Sequence, residues 1–270
     1  MIGVELVKLL RRPRTWVVIL LLDALPTLVA VLLAVTDVAP RPGEGPAFLS
    51  AILANGRLFP AAALAIVLPL FLPVSVAVVA GDAIAGEAQA GTLRYLLARP
   101  VGRTRLLVAK LVSTLVFVFL AVVVVTVTAY FVGTRLFGNE PLAVTTSVSG
   151  SSLTPRDAVL RTLLTMVYVA LSMLGVAAAA LFLSTVTDSP LAAALGALAV
   201  LVTSTLLLTL DAARALQPYL PTRYWLAFVD LFRQPILWRD VLRGVGLQAV
   251  YVVVLLGAAW ANFTTKDIKS

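Results

Sequence analysis

Long apolar runs separated by short polar stretches dominate the pattern of the chain. Six runs reach about 20 residues, the length with which an α-helix crosses ~30 Å of hydrocarbon at ~1.5 Å per residue. The pattern predicts an all-α membrane protein with six transmembrane helices, here called crossings 1 to 6, at residues 16–36, 59–80, 106–132, 158–186, 191–210 and 245–263. The third and fourth runs exceed a minimal span, so these crossings are expected to tilt or to protrude.

The residues before crossing 1 combine basic and apolar side chains. The apolar run that follows them is too long for the core of a cleaved signal peptide and indicates a signal-anchor. Near-helical spacing of the apolar residues predicts an amphipathic helix over residues 1–14, lying on the membrane surface. The residues on its apolar face are Ile2, Leu6, Leu9, Leu10 and Pro13.

Capping residues and prolines mark the ends of several crossings. Thr154-Pro155 and Asp188-Ser189-Pro190 place a capping side chain directly before a proline at the first helical position, which predicts the starts of crossings 4 and 5. Prolines remove backbone hydrogen bonds, so a kink is expected in crossing 2. This crossing contains Pro60, Pro69 and Pro73.

Composition narrows the classes of protein that fit. Apolar residues make up 61% of the chain and charged residues 13%, and the mean hydropathy is +1.03. A soluble domain has about 25% charged residues. The chain has no Cys and no His, which excludes thiolate or imidazole catalysis and zinc peptidase motifs. In a membrane protein the net charge of +8 indicates Lys and Arg at cytoplasmic headgroups rather than nucleic-acid binding.

The distribution of basic residues predicts the orientation. Four precede crossing 1 and five lie between residues 94 and 110, whereas the loop after crossing 1 holds two, so the N terminus and residues 81–105 are predicted to be cytoplasmic. Six crossings return the C terminus to the same side. Segment 211–244 is then predicted to be outside, although its arginines conflict with this rule. They are Arg214, Arg223, Arg233, Arg239 and Arg243, partly balanced by Asp211, Asp230 and Asp240.

Aromatic residues alternate with charges and prolines in segment 211–244. They predict short outer helices between crossings 5 and 6, on the surface or re-entrant. An aromatic belt is the favoured interpretation and a substrate gate the alternative. The residues are Tyr219, Tyr224, Trp225, Phe228, Phe232 and Trp238.

Segment 81–105 interrupts the apolar pattern between crossings 2 and 3. Thr92 is placed to cap a short helix, and Pro100 and Gly102 would end it. Leu93 and Leu97 then share one face of that helix. A short helix held between two crossings is a lever on which a soluble partner can act. The alternative is a solvated cytoplasmic loop.

The motif in and after this segment resembles the signature of ABC-2 type transporter permeases. It is most similar to the group that includes the permease of the nitrous-oxide-reductase maturation system. The sequence motif matches over residues 81–110. The arrangement of predicted helices is similar over the whole chain. The matching residues are Gly86-Glu87, Gly91-Thr92-Leu93-Arg94, Leu96-Leu97, Arg99-Pro100-Val101, Arg103 and Lys110.

The resemblance implies a permease subunit of an ATP-driven exporter, with residues 1–270 as a single ABC-2 type transmembrane domain in a bacterial or archaeal inner membrane. Two permease subunits, expected as a homodimer, would pair among the membrane lipids. Two separate ABC ATPase subunits would hold ATP and Mg²⁺ at the cytoplasmic face, and this chain would bind no cofactor. Residues implied to couple to the ATPase are Glu87, Gly91, Thr92, Leu93, Arg94, Leu97, Arg99, Pro100 and Arg103 in a main coupling helix, and Thr187, Asp188 and Ser189 in a second contact.

The nearest match to a phosphate-binding P-loop runs from Gly81 through Gly86 to Glu87 and Ala88. Glu87 stands where this motif requires lysine, and a carboxylate repels phosphate. The sequence therefore predicts a transport subunit that is not itself an enzyme. Glu87 is expected either to pair with a nearby arginine or to brace the coupling helix against the ATPase.

Asp23 lies inside crossing 1, near Pro26. A carboxylate in the middle of the bilayer costs about 2.5–3.5 kcal/mol on insertion scales, so it faces protein or water. Structural pairing is the favoured interpretation, and a role in the translocation path is the alternative. Asp23 is also the residue on which the alternative function depends, that of an ion-coupled secondary transporter or channel. Such a protein would need more intramembrane titratable groups or inverted repeats than this chain shows.

Overall fold

The computed structural model describes residues 1–36, 56–92, 102–138 and 154–265, and every regular element in these ranges is helical. Within these ranges, short 3₁₀ turns supplement eight α-helices. The α-helices are α1 (Ile2–Arg11), α2 (Pro13–Val35), α3 (Phe59–Val67), α4 (Phe71–Gln89), α5 (Arg103–Leu136), α6 (Pro155–Val186), α7 (Pro190–Thr209) and α8 (Trp238–Thr265).

Six of these helices, α2 and α4 to α8, are long and apolar enough to cross a membrane. The predicted all-α membrane protein with six crossings is thus confirmed at this level. The 34 residues of α5 and the 32 of α6 correspond to about 51 and 48 Å, well beyond ~30 Å of hydrocarbon. Both helices therefore tilt or protrude. The caps predicted for α6 and α7 are present, since Thr154 accepts from the Asp157 N–H and Ser189 from the Ala192 N–H.

The second crossing differs from its prediction. Instead of one kinked helix over residues 59–80, the chain forms α3 and α4, separated by a break at residues 68–70 around Pro69. Proline lacks the N–H that a continuous helix needs. The helix also extends beyond the predicted crossing, because α4 continues to Gln89. Polar residues after position 80 remain helical since ion pairs within the bundle satisfy them, as described below.

Close backbone contact joins α4 to α6 and α7 near Gly81. The Ser184 hydroxyl on α6 accepts from the N–H groups of Ile84 (3.0 Å) and Ala85 (2.8 Å) and donates to the Gly81 carbonyl (2.7 Å). A Cβ atom on Gly81 would lie 3.0 Å from the backbone nitrogen of Ala194 on α7. A side chain at position 81 would press on the backbone of α7, so the three helices form one closely packed unit here.

Gly81→Val is expected to lower stability by about 1–3 kcal/mol, the usual range for overpacking. The new side chain would meet backbone atoms of α7, which cannot move aside as a flexible side chain does. Thermal unfolding of the purified chain in mild detergent measures the effect. Gly246→Val on α8 is the control, because nothing lies within 4 Å of a Cβ atom there. Equal losses in the two variants would contradict the proposed tight contact.

The segment between α7 and α8 packs into the bundle through three 3₁₀ turns, Asp211–Ala213, Gln217–Tyr219 and Trp225–Phe232. Trp225, Phe228 and Phe232 are at most 5% exposed and join the main apolar core. The aromatic-belt interpretation was therefore wrong for these three residues. Their rings cover helix faces of the protein, whereas Tyr219 and Trp238 are exposed.

Candidate functional site

Charged side chains from α1, the start of α2, α4 and α5, together with the Thr92 hydroxyl just after α4, meet at one end of the bundle around Glu87. We call this group the Glu87 cluster. Its members are Glu5, Lys8, Arg12, Arg14, Asp82, Glu87, Thr92 and Lys110.

Lys110 on α5 joins the two other helices of the cluster. Its Nζ lies 2.9 Å from Glu5 Oε2 on α1 and 3.1 Å from Glu87 Oε1 on α4. The Lys110 side chain is only 5% exposed, and the two carboxylates are 12% and 11% exposed. A buried ammonium group is stable only when it is paired and hydrogen-bonded. Two carboxylates therefore hold this cation in place.

Glu87 has a second cation and a hydroxyl among its partners. Lys8 of α1 pairs with its carboxylate, and the Thr92 hydroxyl donates to that carboxylate as well. Among the described residues, the cations paired with Glu87 are thus two lysines, whereas the nearby Arg94 and Arg99 lie outside the described residues. Gly91 follows α4 with a positive φ of 68°, the left-handed conformation that often ends a helix. The Thr92 N–H then donates to the Glu87 carbonyl at 3.0 Å, which completes the end of α4.

Asp82 connects α4 to the start of α2. Its Oδ2 accepts from Arg12 Nη1, between α1 and α2, at 3.1 Å and also from Arg14 in the first turn of α2. Asp82 and Glu87 therefore both bind the N-terminal part of the chain. The pairs of Glu5 and Lys8 turn the charged side of α1 towards the bundle.

The apolar side of α1 differs from its prediction. Leu9 is buried at 7% exposure, whereas Ile2 and Leu10, which were grouped with it, are more than 40% exposed. Val4 and Val7 are also exposed. Helical spacing of apolar residues alone could not choose the inward side, because the ion pairs decide it. Glu5 and Lys8 of this helix therefore face the bundle, whereas Ile2, Val4, Val7 and Leu10 face outward, an orientation that suits a membrane surface.

A cavity of about 160 Å³ lies beside the cluster and is also lined by Thr15, Ser113 and Thr114. The charged residues around it are four cations, at positions 8, 12, 14 and 110, and three carboxylates, at positions 5, 82 and 87. The lining thus carries one excess positive charge. Charge is nearly balanced, so the pairs stabilise the contact between α1 and α4 without a large local field.

The other flank of the predicted coupling helix is fixed to α8. Arg103 donates to the carbonyls of Phe263 (3.1 Å) and Thr264 (3.0 Å), which lack helical partners near the end of α8. Trp260 Nε1 donates to the Thr104 hydroxyl at 2.9 Å. The predicted coupling residues between these flanks lie outside the described residues. They are Leu93, Arg94, Leu97, Arg99 and Pro100.

The predicted second contact is the turn between α6 and α7. The Ser189 N–H donates to the Thr187 hydroxyl at 3.1 Å, and Asp188 between them is exposed. Thr185 on α6 accepts from Asn262 of α8 at 3.0 Å. The turn therefore lies at the same end of the bundle as the Glu87 cluster and the end of α8.

Asp23 does not belong to this site. It lies within α2, where its carboxylate interacts with Thr128 of α5. Its Oδ1 is buried and has no hydrogen-bond partner among the described residues. The P-loop-like stretch from Gly81 to Ala88 lies within α4, and a helix interior does not form the phosphate-cradling loop of that motif.

Sequence analysis did not bring together the charged residues of the Glu87 cluster that precede α2. Glu5, Lys8 and Arg12 recur at helical spacing along α1 and the residue after it. This charged stripe was the available signal, and it was read only as headgroup contact. Asp82 carried a similar signal, since a carboxylate inside a helix near the membrane needs a partner.

Comparison with known proteins identifies a family for this chain, but the function of that family is unknown. The family described as "Protein of unknown function (DUF2705)" matches residues 44–269, more than half of the chain. Glu87, Lys110 and Arg103 lie inside the match, whereas α1 lies outside it. No curated protein matches the chain.

Proposed function

We propose a function for this chain, which belongs to the DUF2705 family of proteins of unknown function: it is the permease subunit of an ATP-driven ABC-2 type exporter. Two copies would form the translocation path in the cell membrane, and separate ATPase subunits would hydrolyse ATP at the cytoplasmic face. The resemblance of residues 81–110 to the ABC-2 signature supports this proposal. The six apolar helices supply a membrane domain of the required kind.

The observation that carries the proposal is the fixing of both flanks of residues 93–101. On one side, Glu87, whose carboxylate also accepts from Thr92, attaches the end of α4 to Lys8 of α1 and Lys110 of α5. On the other side, Arg103 attaches the start of α5 to α8. A force applied to residues 93–101 would therefore reach four helices at once. Loosely held flanks would absorb such a displacement in the loop.

The roles of the residues follow from this geometry. Leu97, Arg94 and Arg99 would contact the ATPase, and Glu87 would pass the movement to α1. Asp188 in the turn between α6 and α7 would make the second contact, because this turn lies at the same end of the bundle. Closure of the ATPase dimer would then tilt α4, α5 and α6 together and open the path.

The proposal requires the Glu87 end of the bundle to face the cytoplasm. The chain has no cysteine, so single cysteines at exposed sites report sidedness without background. Asp188→Cys is expected to react with a membrane-impermeant maleimide in inside-out vesicles only. Leu216→Cys, at a residue that is 56% exposed in the segment between α7 and α8, is expected to react in right-side-out vesicles only. The reverse pattern would place the coupling residues outside and end the proposal.

Asp23 favours one alternative, an ion-coupled transporter or channel. Its buried, unpaired oxygen lies within a crossing, where carboxylates mark ion or proton paths. Solute flux that follows a proton or sodium gradient and persists after ATP depletion would support this alternative. Flux that stops on ATP depletion and continues in the presence of an ionophore would support the exporter.

A further inference from the structure

A second charged cavity lies at the end of the bundle opposite the Glu87 cluster. Helix α7 begins after the turn at residues 187–189, at the Glu87 end, and its 20 residues extend about 30 Å. The segment that follows α7 and the start of α8 therefore lie at the opposite end. They form a cavity of about 390 Å³, within the ~300–1,000 Å³ typical of ligand pockets. We call it the arginine pocket, and its charged lining residues are Arg223, Asp230, Arg239, Asp240 and Arg243.

The two carboxylates of the arginine pocket neutralise only part of its positive charge. Asp230 Oδ1 accepts from Arg233 Nε at 2.7 Å, and Arg233 lies beside the lining rather than in it. Asp240 lies 3.8 Å from Arg243, beyond hydrogen-bond distance. The two side chains of this second pair are each about half exposed, so their attraction is weak. Four arginines thus meet two aspartates, and two positive charges stay uncompensated.

The guanidinium groups of Arg223 and Arg239 are the uncompensated cations. Among the described residues, none pairs with or accepts from either group. Both residues are exposed and both line the same cavity. Like charges repel each other, and a bound anion removes this repulsion. The planar guanidinium fork matches the oxygens of phosphate in particular. The Glu87 cluster differs, because each of its cations already has a carboxylate partner.

Exposed apolar side chains place the arginine pocket at the border of the membrane. Leu226 belongs to the lining and is 49% exposed. Trp238 at the start of α8 and Leu242 one turn later are exposed as well. Tryptophan at the end of a crossing marks the level of the lipid headgroups, where the phosphates of the bilayer lie. A lipid phosphate therefore fits this position better than a free anion, because its acyl chains cover the apolar border.

We propose that the arginine pocket binds the phosphate group of a membrane phospholipid, with Arg223 and Arg239 donating to the phosphate oxygens. The acyl chains would pass Leu226 into the bilayer. The site accounts for three of the five arginines in segment 211–244 that conflict with the predicted orientation, because these three have an anion to bind on that side. It is independent of the proposed transport function.

The test compares a phospholipid with a lipid that has the same chains but no phosphate. The purified full-length chain in mild non-ionic detergent is mixed with dioleoyl phosphatidylglycerol or dioleoylglycerol, and native mass spectrometry measures the lipid retained. Wild type is expected to retain the phospholipid about tenfold better, the factor for one hydrogen bond to a charged group at the lower end of its range. The double variant Arg223→Gln with Arg239→Gln is expected to lower the retention of phosphatidylglycerol by a similar factor.

The double variant Arg135→Gln with Arg214→Gln is the matched control. It removes two exposed arginines from the same end of the bundle, at the end of α5 and after α7, and neither lines the pocket. It is expected to retain phosphatidylglycerol as wild type does. Equal retention of the two lipids by wild type would overturn the proposal, and so would equal losses in the two double variants.

Inorganic phosphate separates a lipid from a soluble anion as the ligand. A large molar excess of phosphate over lipid is expected to leave phosphatidylglycerol bound to wild type, because free phosphate makes no contact with the apolar border at Leu226. Displacement of the lipid by inorganic phosphate would assign the arginine pocket to a soluble anion and overturn the proposal.

Discussion

Lys110→Met will lower the free energy of unfolding by about 3 kcal/mol, the lower end of the range for removing one partner of a buried ion pair. Lys110 is the cation shared by Glu5 and Glu87, and its side chain is 5% exposed. Its loss leaves Glu5 without its cation and brings two carboxylates together in a largely dry site. Thermal or denaturant unfolding in mild detergent measures the change.

Arg214→Met is the matched control, because it also replaces a cation of an ion pair with methionine. Arg214 and Asp211 are 82% and 95% exposed, and exposed pairs contribute about 0–1 kcal/mol. The double variant Lys110→Met with Glu87→Gln is expected to recover part of the loss, since one uncompensated carboxylate is then removed. A Lys110→Met variant as stable as Arg214→Met would show that the cluster does not hold α1 to the bundle.

Replacing residues 93–97 with a Gly-Ser linker of equal length will abolish the association of the chain with its ATPase. This replacement removes Leu93, Arg94 and Leu97, which the ABC-2 resemblance assigns to the contact, and leaves Glu87 and Thr92 in place. Co-purification of an ABC ATPase with the tagged chain, and the ATPase activity of that complex in lipid vesicles, are expected to fall below a tenth of the wild-type values.

The same linker at residues 143–147, which follow α5 and precede α6 in the sequence, is the matched control and is expected to leave both values unchanged. Thermal unfolding of each variant separates a lost contact from a lost fold, because the flanks keep their anchors in both. If the 93–97 replacement leaves ATPase association intact, these residues are not the coupling element. Equal effects of the two replacements would argue against any specific contact.

The sequence was sufficient to predict the six apolar helices, because the signals that mark them lie within short stretches of the chain. A run of about 20 apolar residues has one stable arrangement in a membrane, and Thr154 and Ser189 begin their helices as predicted. Pro69 marked the weak point of the second crossing, although the pattern did not distinguish a kink from a break. The extension of α4 beyond the predicted crossing was not foreseen, because Asp82 and Glu87 interrupt the apolar pattern, whereas cations from other parts of the chain pair with them.

The difference between local signals and contacts distant in the chain also decides how much of the Glu87 cluster could be predicted. Glu87 was identified through its motif, but Lys8 lies 79 positions and Lys110 lies 23 positions away in the chain. A single sequence does not pair residues at such separations. The burial of Trp225 was missed for another reason. An aromatic residue among charged residues gives the same sequence pattern whether its ring faces lipid or the protein core. Burial of its ring depends on the helices around it.

The inward charges of α1 have a practical consequence for anyone preparing this protein. An expression vector that starts at the first apolar run would omit Glu5 and Lys8. Lys110 and Glu87 would then each keep only one charged neighbour within the described part of the chain. Low yield or loss of activity of such a truncated product would reflect this damaged end of the bundle and would carry no information about export.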